Sequence, residues 1–424
     1  MLLQFRVENH RSLRDEQQLS LAASALGHDD SYRLLRPKAI SEAILPAVAI
    51  YGANASGKSN VLHALRFMRD AVLLSYRSWE PETGVPVEPF ALSQKRMAPS
   101  FYEVEIIAND VRFRYGFVIG RNRVEEEWLF AWPHGHKQTW FEREGDSFKF
   151  GGNLHGDNEA IRGLTRDNSL FLSVAAQNNH AALMTVFRWF RGIQVTARRG
   201  STAHPANAIA NMFSRHLSLF GEEESLNDRK ALLDLLQAAD TGIVDMRVDE
   251  AEPDAPGFRR RTRLEFRHKA EIELGDRDAW LPLSVESAGT VALVDLGPRL
   301  TRSLRSGGLL CIDEMEASLH PMLALSILNL FQDPERNPNG AQLLFTTHDT
   351  DLLGTILGSP PLRRDQIWFT EKDDAGASHL YPLTDFRPRK QENLERGYLQ
   401  GRYGAIPFLG SLVPESSVTD DKSE

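Results

Sequence analysis

Ala47-Val48-Ala49-Ile50-Tyr51-Gly52-Ala53-Asn54-Ala55-Ser56-Gly57-Lys58-Ser59-Asn60 is the stretch whose reading decides the fold. Its apolar first part ends at a glycine and reads as a buried strand. Beyond it Val61, Leu62, Leu65, Met68, Val72 and Leu73 recur at helical spacing. Strand, glycine loop and helix thus follow in the order that a phosphate-binding loop needs. Gly52 to Ser59 matches the eight-position pattern of such a loop at every fixed position. The glycines let the backbone curl so that successive amides face phosphate oxygens, and the helix start adds its positive end. Lys58 then reaches the β- and γ-phosphates, and Ser59 sets its hydroxyl on Mg²⁺. The binding set runs Gly52, Ala53, Asn54, Ala55, Ser56, Gly57, Lys58, Ser59 and Asn60. A chance glycine turn would lack both the apolar strand before the loop and the amphipathic helix after it.

Far along the chain, Leu309-Leu310-Cys311-Ile312-Asp313-Glu314 is an apolar strand ending in two carboxylates. After a phosphate loop, Asp313 is the expected Mg²⁺ partner and Glu314 the expected group that polarises an attacking water. A helix over Leu319 to Phe331 and a strand over Gln342 to Thr346 complete a parallel βαβ unit. Phe345-Thr346-Thr347-His348-Asp349 then places His348 at the carboxyl end of a neighbouring strand, where open α/β sheets bind ligands. Its expected contact is the γ-phosphate. Glu286-Ser287-Ala288-Gly289-Thr290 precedes the apolar stretch Val291 to Val294, and Ser287 reads as the cap of a helix whose free amides attract anions.

Around these motifs the chain changes character. Leu3, Phe5 and Val7 alternate with polar residues as in a strand, and residues from about Phe101 to Phe150 form a β-rich stretch of hairpins. From Ala181 to Leu236 the pattern turns helical, broken by a polar segment near Gly200 to Pro205, and Thr262 to Arg267 alternates again. No sustained heptad pattern announces a long coiled coil. A net charge of −9 argues against a broadly basic nucleic-acid binder, although Arg259-Arg260-Arg261-Thr262-Arg263 is a compact basic cluster. The single cysteine, Cys311, rules out an internal disulfide and fits a reducing compartment. Charge at Arg6 and Glu8 comes too early for a signal peptide, and no apolar run reaches membrane-spanning length. A cytoplasmic, membrane-free protein is expected.

Taken together, these elements resemble the ABC-type ATPase heads of the SMC, RecF and OLD proteins. Within that group the chain looks most like the RloA/AbiL-like AAA-family ATP-binding proteins of bacterial abortive-infection and phage-defence loci. The likeness rests on Phe5 to Ser12, Tyr51 to Asn60, Glu286 to Thr290, Ile312 to Pro321, Thr346 to Asp349 and Tyr398 to Pro407. It implies ATP and Mg²⁺ as cofactors, sandwiched between two copies in a homodimer or higher homo-oligomer. In that arrangement Ser287 and Gly289 contact the γ-phosphate across the dimer, and Ser318 to His320 follow the catalytic glutamate. Gln177, after the apolar run Leu170 to Val174, takes the place of a Mg²⁺-sensing glutamine. The signature here is Glu-Ser-Ala-Gly-Thr rather than Leu-Ser-Gly-Gly. Glu371-Lys372-Asp373-Asp374 reads as a charged turn between strands, not as the metal site of an OLD-type nuclease.

The fold class expected is α/β, a P-loop NTPase of ABC/SMC-head type with a β-rich lobe and an inserted helical subdomain. Residues 1–180 are read as the N-terminal half of the head, 181–270 as the insert returning to strands, 271–413 as the C-terminal half and 414–424 as a flexible tail. The expected function is ATP binding and hydrolysis in the sensor or regulatory subunit of an anti-phage system, with a separate nuclease or toxin as effector. Alternatives are a RecF-like DNA-repair ATPase that touches nucleic acid through the basic cluster, or a nucleotide-gated scaffold with little turnover.

Overall fold

Two apolar strands from distant parts of the sequence lie next to each other and set the architecture. The computed structural model describes residues 1–25, 33–196, 222–251, 261–270, 280–317, 319–355, 358, 360–389 and 392–407, with only the backbone of 222–228, 249–251 and 261–262. Its central sheet contains β3 (Ala47–Gly52), β9 (Gln194–Val195), β13 (Leu309–Ile312), β14 (Gln342–Thr346), β15 (Ile367–Lys372) and β16 (Ser378–Pro382), in the order β16-β15-β3-β14-β13-β9. All neighbours are parallel except β15 and β16. Every residue of β3, β13 and β14 is buried, as expected for parallel strands covered on both faces. Their side chains alternate between two cores: Val48 and Ile50 enter one, Ala47, Ala49 and Tyr51 the other. Thr346 pairs with Ile50 and Ile312 with Phe345, so three carboxyl ends converge on one edge.

One core is closed by a seven-stranded antiparallel sheet. Its strands are β1 (Leu2–Glu8), β2 (Gln17–Ser20), β4 (Ser100–Ala108), β5 (Val111–Ile119), β6 (Val124–Trp132), β7 (Gln138–Glu144) and β8 (Ser147–Phe150), ordered β2-β1-β4-β5-β6-β7-β8. Between the sheets runs α1 (Lys58–Ser78), burying Val61, Leu62, Leu65, Met68 and Val72 on the face that their spacing indicates. α2 (Asn158–Leu164), α3 (Phe171–Gln177) and α4 (Met184–Gly192) complete this layer. α4 and β9 were placed in the insert by their helical pattern. Leu183, Val186, Phe187 and Phe190 join the core beneath the antiparallel sheet, and β9 pairs with β13.

The second core holds α5 (Glu222–Ala238), α6 (Ala288–Ser306), α7 (Pro321–Gln332), α8 (Leu394–Leu399) and a small antiparallel sheet of β10 (Ile243–Ala251), β11 (Arg261–His268) and β12 (Trp280–Pro282). α5 and α6 approach closely at Gly297, where a Cβ would sit 2.6 Å from Leu232 Cδ1. Among the described residues no helix exceeds the 21 residues of α1, and none is long and apolar enough to cross a membrane. The architecture is thus the α/β phosphate-loop fold with a β-rich lobe and, among the described residues, no long coiled coil. The segment 200–205, Arg259, Arg260 and the tail 414–424 lie outside the described residues.

Candidate functional site

The loop between β3 and α1 takes its shape from residues that only glycine can satisfy. Gly52 has φ 155° and Gly57 φ 113°. A Cβ on Gly52 would meet Thr370 O at 2.5 Å, and one on Gly57 would run into the Ser378 side chain. Hydroxyls hold the loop from outside. Ser56 Oγ lies 2.6 Å from Thr370 Oγ1, Ser378 Oγ contacts both Ser12 Oγ and Ser56 O, and Asn60 Nδ2 donates to Ser12 Oγ at 2.6 Å. Ala53, Asn54 and Ala55 form the crest, with Ala55 in the left-handed region at φ 61°. Behind them Tyr398 donates its hydroxyl to Ala405 O at 3.2 Å and packs edge-on against Tyr51.

The acidic strand end meets this loop directly. Ser59 Oγ donates to Asp313 Oδ1 at 2.8 Å, joining residues 254 positions apart. Thr346 Oγ1 donates to the same oxygen at 2.7 Å, and Glu314 N donates to Thr346 Oγ1 at 2.7 Å. Glu314 has φ 54° and an exposed side chain. Lys58 Nζ donates to Gly52 O at 2.8 Å and Ala53 O at 3.0 Å, and lies 2.9 Å from His348 Nε2. Because the ammonium has only protons to offer, the imidazole accepts at Nε2 and carries its own proton on Nδ1. His348 N donates to Glu316 Oε1 at 2.6 Å, which ties the histidine to the acidic turn.

Burial governs the electrostatics. It lowers Lys58 to about 8, against the opposing pull of Glu316, Glu314 and Asp313. Burial, and then the Lys58 charge, lower His348, so its ring is neutral near pH 7. Asp349 is raised, first by burial. For a divalent cation the available donors are hard oxygens, the Ser59 hydroxyl and the Asp313 carboxylate. No group of three His, Cys, Asp or Glu able to hold a metal occurs among the described residues. A site with one carboxylate and one hydroxyl suits Mg²⁺, which keeps waters and takes its remaining ligands from phosphates.

The segment Glu286 to Thr290 stands apart from this cluster. Ser287 caps α6, its Oγ accepting from Thr290 N at 3.1 Å, and its side chain is exposed. Gly289 is half-buried in the first turn of the same helix. Among the described residues no hydrogen bond links Ser287 or Gly289 to the phosphate loop. His320 caps α7 and is exposed, while Ser318 lies outside the described residues.

Gln177 requires a correction. The run Leu170 to Val174 is not a strand, since α3 covers Phe171–Gln177 and ends at an exposed Gln177. Ser173 of α3 accepts a hydrogen bond from Tyr76 N. Tyr76 lies 17 residues beyond Ser59 on α1, roughly 25 Å along the axis at 1.5 Å per residue. Gln177, one turn further along α3, is therefore not brought to the Ser59–Asp313 pair.

Sequence reasoning passed over Thr346 and Glu316, although both stand inside motifs quoted for their neighbours. Each joins strand ends that are distant in sequence, and spacing alone carries no trace of that. Arg263, from the basic cluster, lies on β11 opposite Asp249, within an antiparallel ladder.

No curated protein matches the chain. Among solved structures, the SMC head domain from Thermotoga maritima matches at 12% identity and a TM-score of 0.38, covering 90% of this chain and 98% of that one. An SMC head with an extended coiled coil bound to the C-terminal domain of ScpA, from Pyrococcus furiosus, matches at 13% and 0.42, covering 91% and 97%. A family model described as "AAA domain, putative AbiEii toxin, Type IV TA system" matches residues 47–354, from the first residue of β3 to beyond His348. That match spans well over half of the sequence, and the chain belongs to this AAA-domain family.

Proposed function

We propose that the chain binds and hydrolyses ATP, and that it assembles as a dimer or higher oligomer around the nucleotide. The observation that carries this reading is the hydrogen bond between Ser59 Oγ and Asp313 Oδ1, beside Lys58 and His348. Lys58 leaves its carbonyl partners for the β- and γ-phosphates, and the loop amides hold the phosphate oxygens. Mg²⁺, when bound, neutralises charge shared between these oxygens. Ser59 and Asp313 are the residues that would hold it. Glu314, exposed at the strand tip, orients and polarises the attacking water, and His348 contacts the γ-phosphate from the adjacent strand. Ser287 is exposed and Gly289 half-buried at a helix start whose amides suit an anion, which supports their acting on the nucleotide of a second copy.

Within this reading the chain is the sensor or regulatory subunit of a bacterial anti-phage system, with a separate nuclease or toxin as effector. The family description, which names a putative AbiEii toxin and a type IV TA system, supports the abortive-infection setting and not the division into sensor and effector. Two experiments test the two levels. Purified wild type should hydrolyse ATP in the presence of Mg²⁺ and Lys58→Ala should bind it far more weakly, whereas undiminished ATP affinity in Lys58→Ala contradicts the loop assignment. Bacteria carrying the gene with its genomic neighbours should resist phage and lose that resistance on Glu314→Gln. Equal plating of phage on both strains contradicts the defence role.

A further inference from the structure

We infer that Thr346 is the positioning residue of the acid pair, its one hydroxyl fixing the Asp313 carboxylate and the Glu314 backbone together. This rests on the proposed roles of Asp313 at Mg²⁺ and Glu314 at the attacking water. Thr346 is fully buried as the last residue of β14. Its Oγ1 donates to Asp313 Oδ1 and accepts from Glu314 N, each at 2.7 Å. A threonine hydroxyl has a single proton, and here it is committed to the carboxylate. The same oxygen is thereby free to accept only, and the Glu314 amide fills that role. Both bonds depend on one torsion, so the two acidic residues cannot drift independently.

What this hydroxyl restrains is a strained turn. Glu314 sits at φ 54°, a left-handed conformation costing roughly 1–2 kcal/mol for a residue with a Cβ. That turn separates the pair: Asp313 faces Ser59, and Glu314 projects into solvent. The strand tip is gripped from the other side as well, where Asp313 N donates to Thr196 Oγ1 at 3.3 Å, just beyond β9. Asp313 Oδ1 thus receives two hydroxyl protons, from Ser59 and Thr346, which set the plane of the carboxylate. Threonine is common in strands for its branched shape alone. Shape, however, does not demand a hydroxyl that bridges two neighbours in a β13 turn, and valine would fill the same space.

The test uses the full chain and two readouts: binding of a fluorescent mant-ATP titrated with Mg²⁺, and ATP turnover resolved into kcat and KM. Thr346→Val removes both bonds at nearly constant shape. The Mg²⁺ needed for half-maximal binding should rise and kcat should fall, each by roughly 10- to 100-fold, as for other residues that orient a metal ligand. Affinity for mant-ATP in EDTA should stay at the wild-type value, because the loop and Lys58 are untouched. Thr346→Ser restores the hydroxyl and should recover both quantities. Where valine is too crowded to fold, Thr346→Ala removes the same hydroxyl without the second methyl and is read in the same way. Wild-type Mg²⁺ demand and kcat in a folded Thr346→Val or Thr346→Ala chain overturn the inference, as does a serine variant impaired as badly as the valine one. A wild type that binds mant-ATP with Mg²⁺ yet shows no turnover contradicts the hydrolytic reading alone, and the Mg²⁺ titration then still judges Thr346.

Discussion

The phosphate-loop end of the chain and the end at Ser287 are built differently, although both present a helix start. At the loop end Lys58, Ser59, Asp313, Thr346 and His348 are already joined by hydrogen bonds across three separate parts of the sequence. At the other end Ser287 caps its own helix, Glu286 bonds His268 at 2.8 Å, and the Ser287 side chain is exposed. The first arrangement is complete within one chain. The second leaves Ser287 facing outward, as the proposed contact with a second copy requires. A group's working partner can therefore be read from whether its neighbours have already claimed it.

The largest expected effect lies at the loop end. Lys58→Ala should weaken ATP binding by roughly 100-fold, the scale of a charge-assisted hydrogen bond to phosphate, measured by calorimetry. Wild-type affinity would erase the difference between the two ends. Next comes Ser287→Asp, since aspartate caps a helix as well as serine does. Melting temperature and ATP affinity should stay at wild-type values while ATP-driven dimerisation and turnover fall by roughly tenfold or more through repulsion of the γ-phosphate. Full dimerisation, seen by light scattering, would mean that the signature does not face the nucleotide.

A pH series sharpens the contrast further. Burial lowers Lys58 to about 8, so the lysine carries its charge below pH 8 and loses it above. ATP affinity should be flat below that point and fall by roughly tenfold for each unit above it. Ser287→Asp should leave this profile in place, because it touches the other end. An affinity independent of pH between 7 and 10 would contradict the burial of Lys58. The smallest effect belongs to Glu316→Ala, which removes the acceptor of His348 N. Turnover should drop by roughly fivefold, about 1 kcal/mol, and Glu316→Gln should keep most of it. Identical turnover in alanine and glutamine variants would show that the bond does not position His348.

Much of this was legible because it is local. The loop, the helix that follows it and the three apolar parallel strands announce themselves by spacing and by unbroken hydrophobicity. Where the pattern was short it misled. Leu170 to Val174 is too brief to tell a buried helix from a strand, and its true state takes Gln177 away from the Ser59–Asp313 pair. The helical pattern after Ala181 did not show that α4 packs against the core under the antiparallel sheet, because periodicity gives an element's type but not its packing partner. Thr346 was hidden for a related reason: its importance lies in a contact with a strand tip 33 residues away. The order of strands in the sheets likewise depends on contacts that no local pattern encodes.

Glu314→Gln measured beside wild type, for ATP binding, Mg²⁺-dependent turnover and mass in solution, tests the account most directly. The substitution keeps the left-handed turn and removes only the carboxylate charge. Binding should persist, turnover should be lost, and ATP should hold the variant in a stable oligomer that wild type forms only transiently. Equal turnover in the two proteins would contradict the assignment of the water-polarising group, and with it the claim that loop and acidic strand form one hydrolytic site.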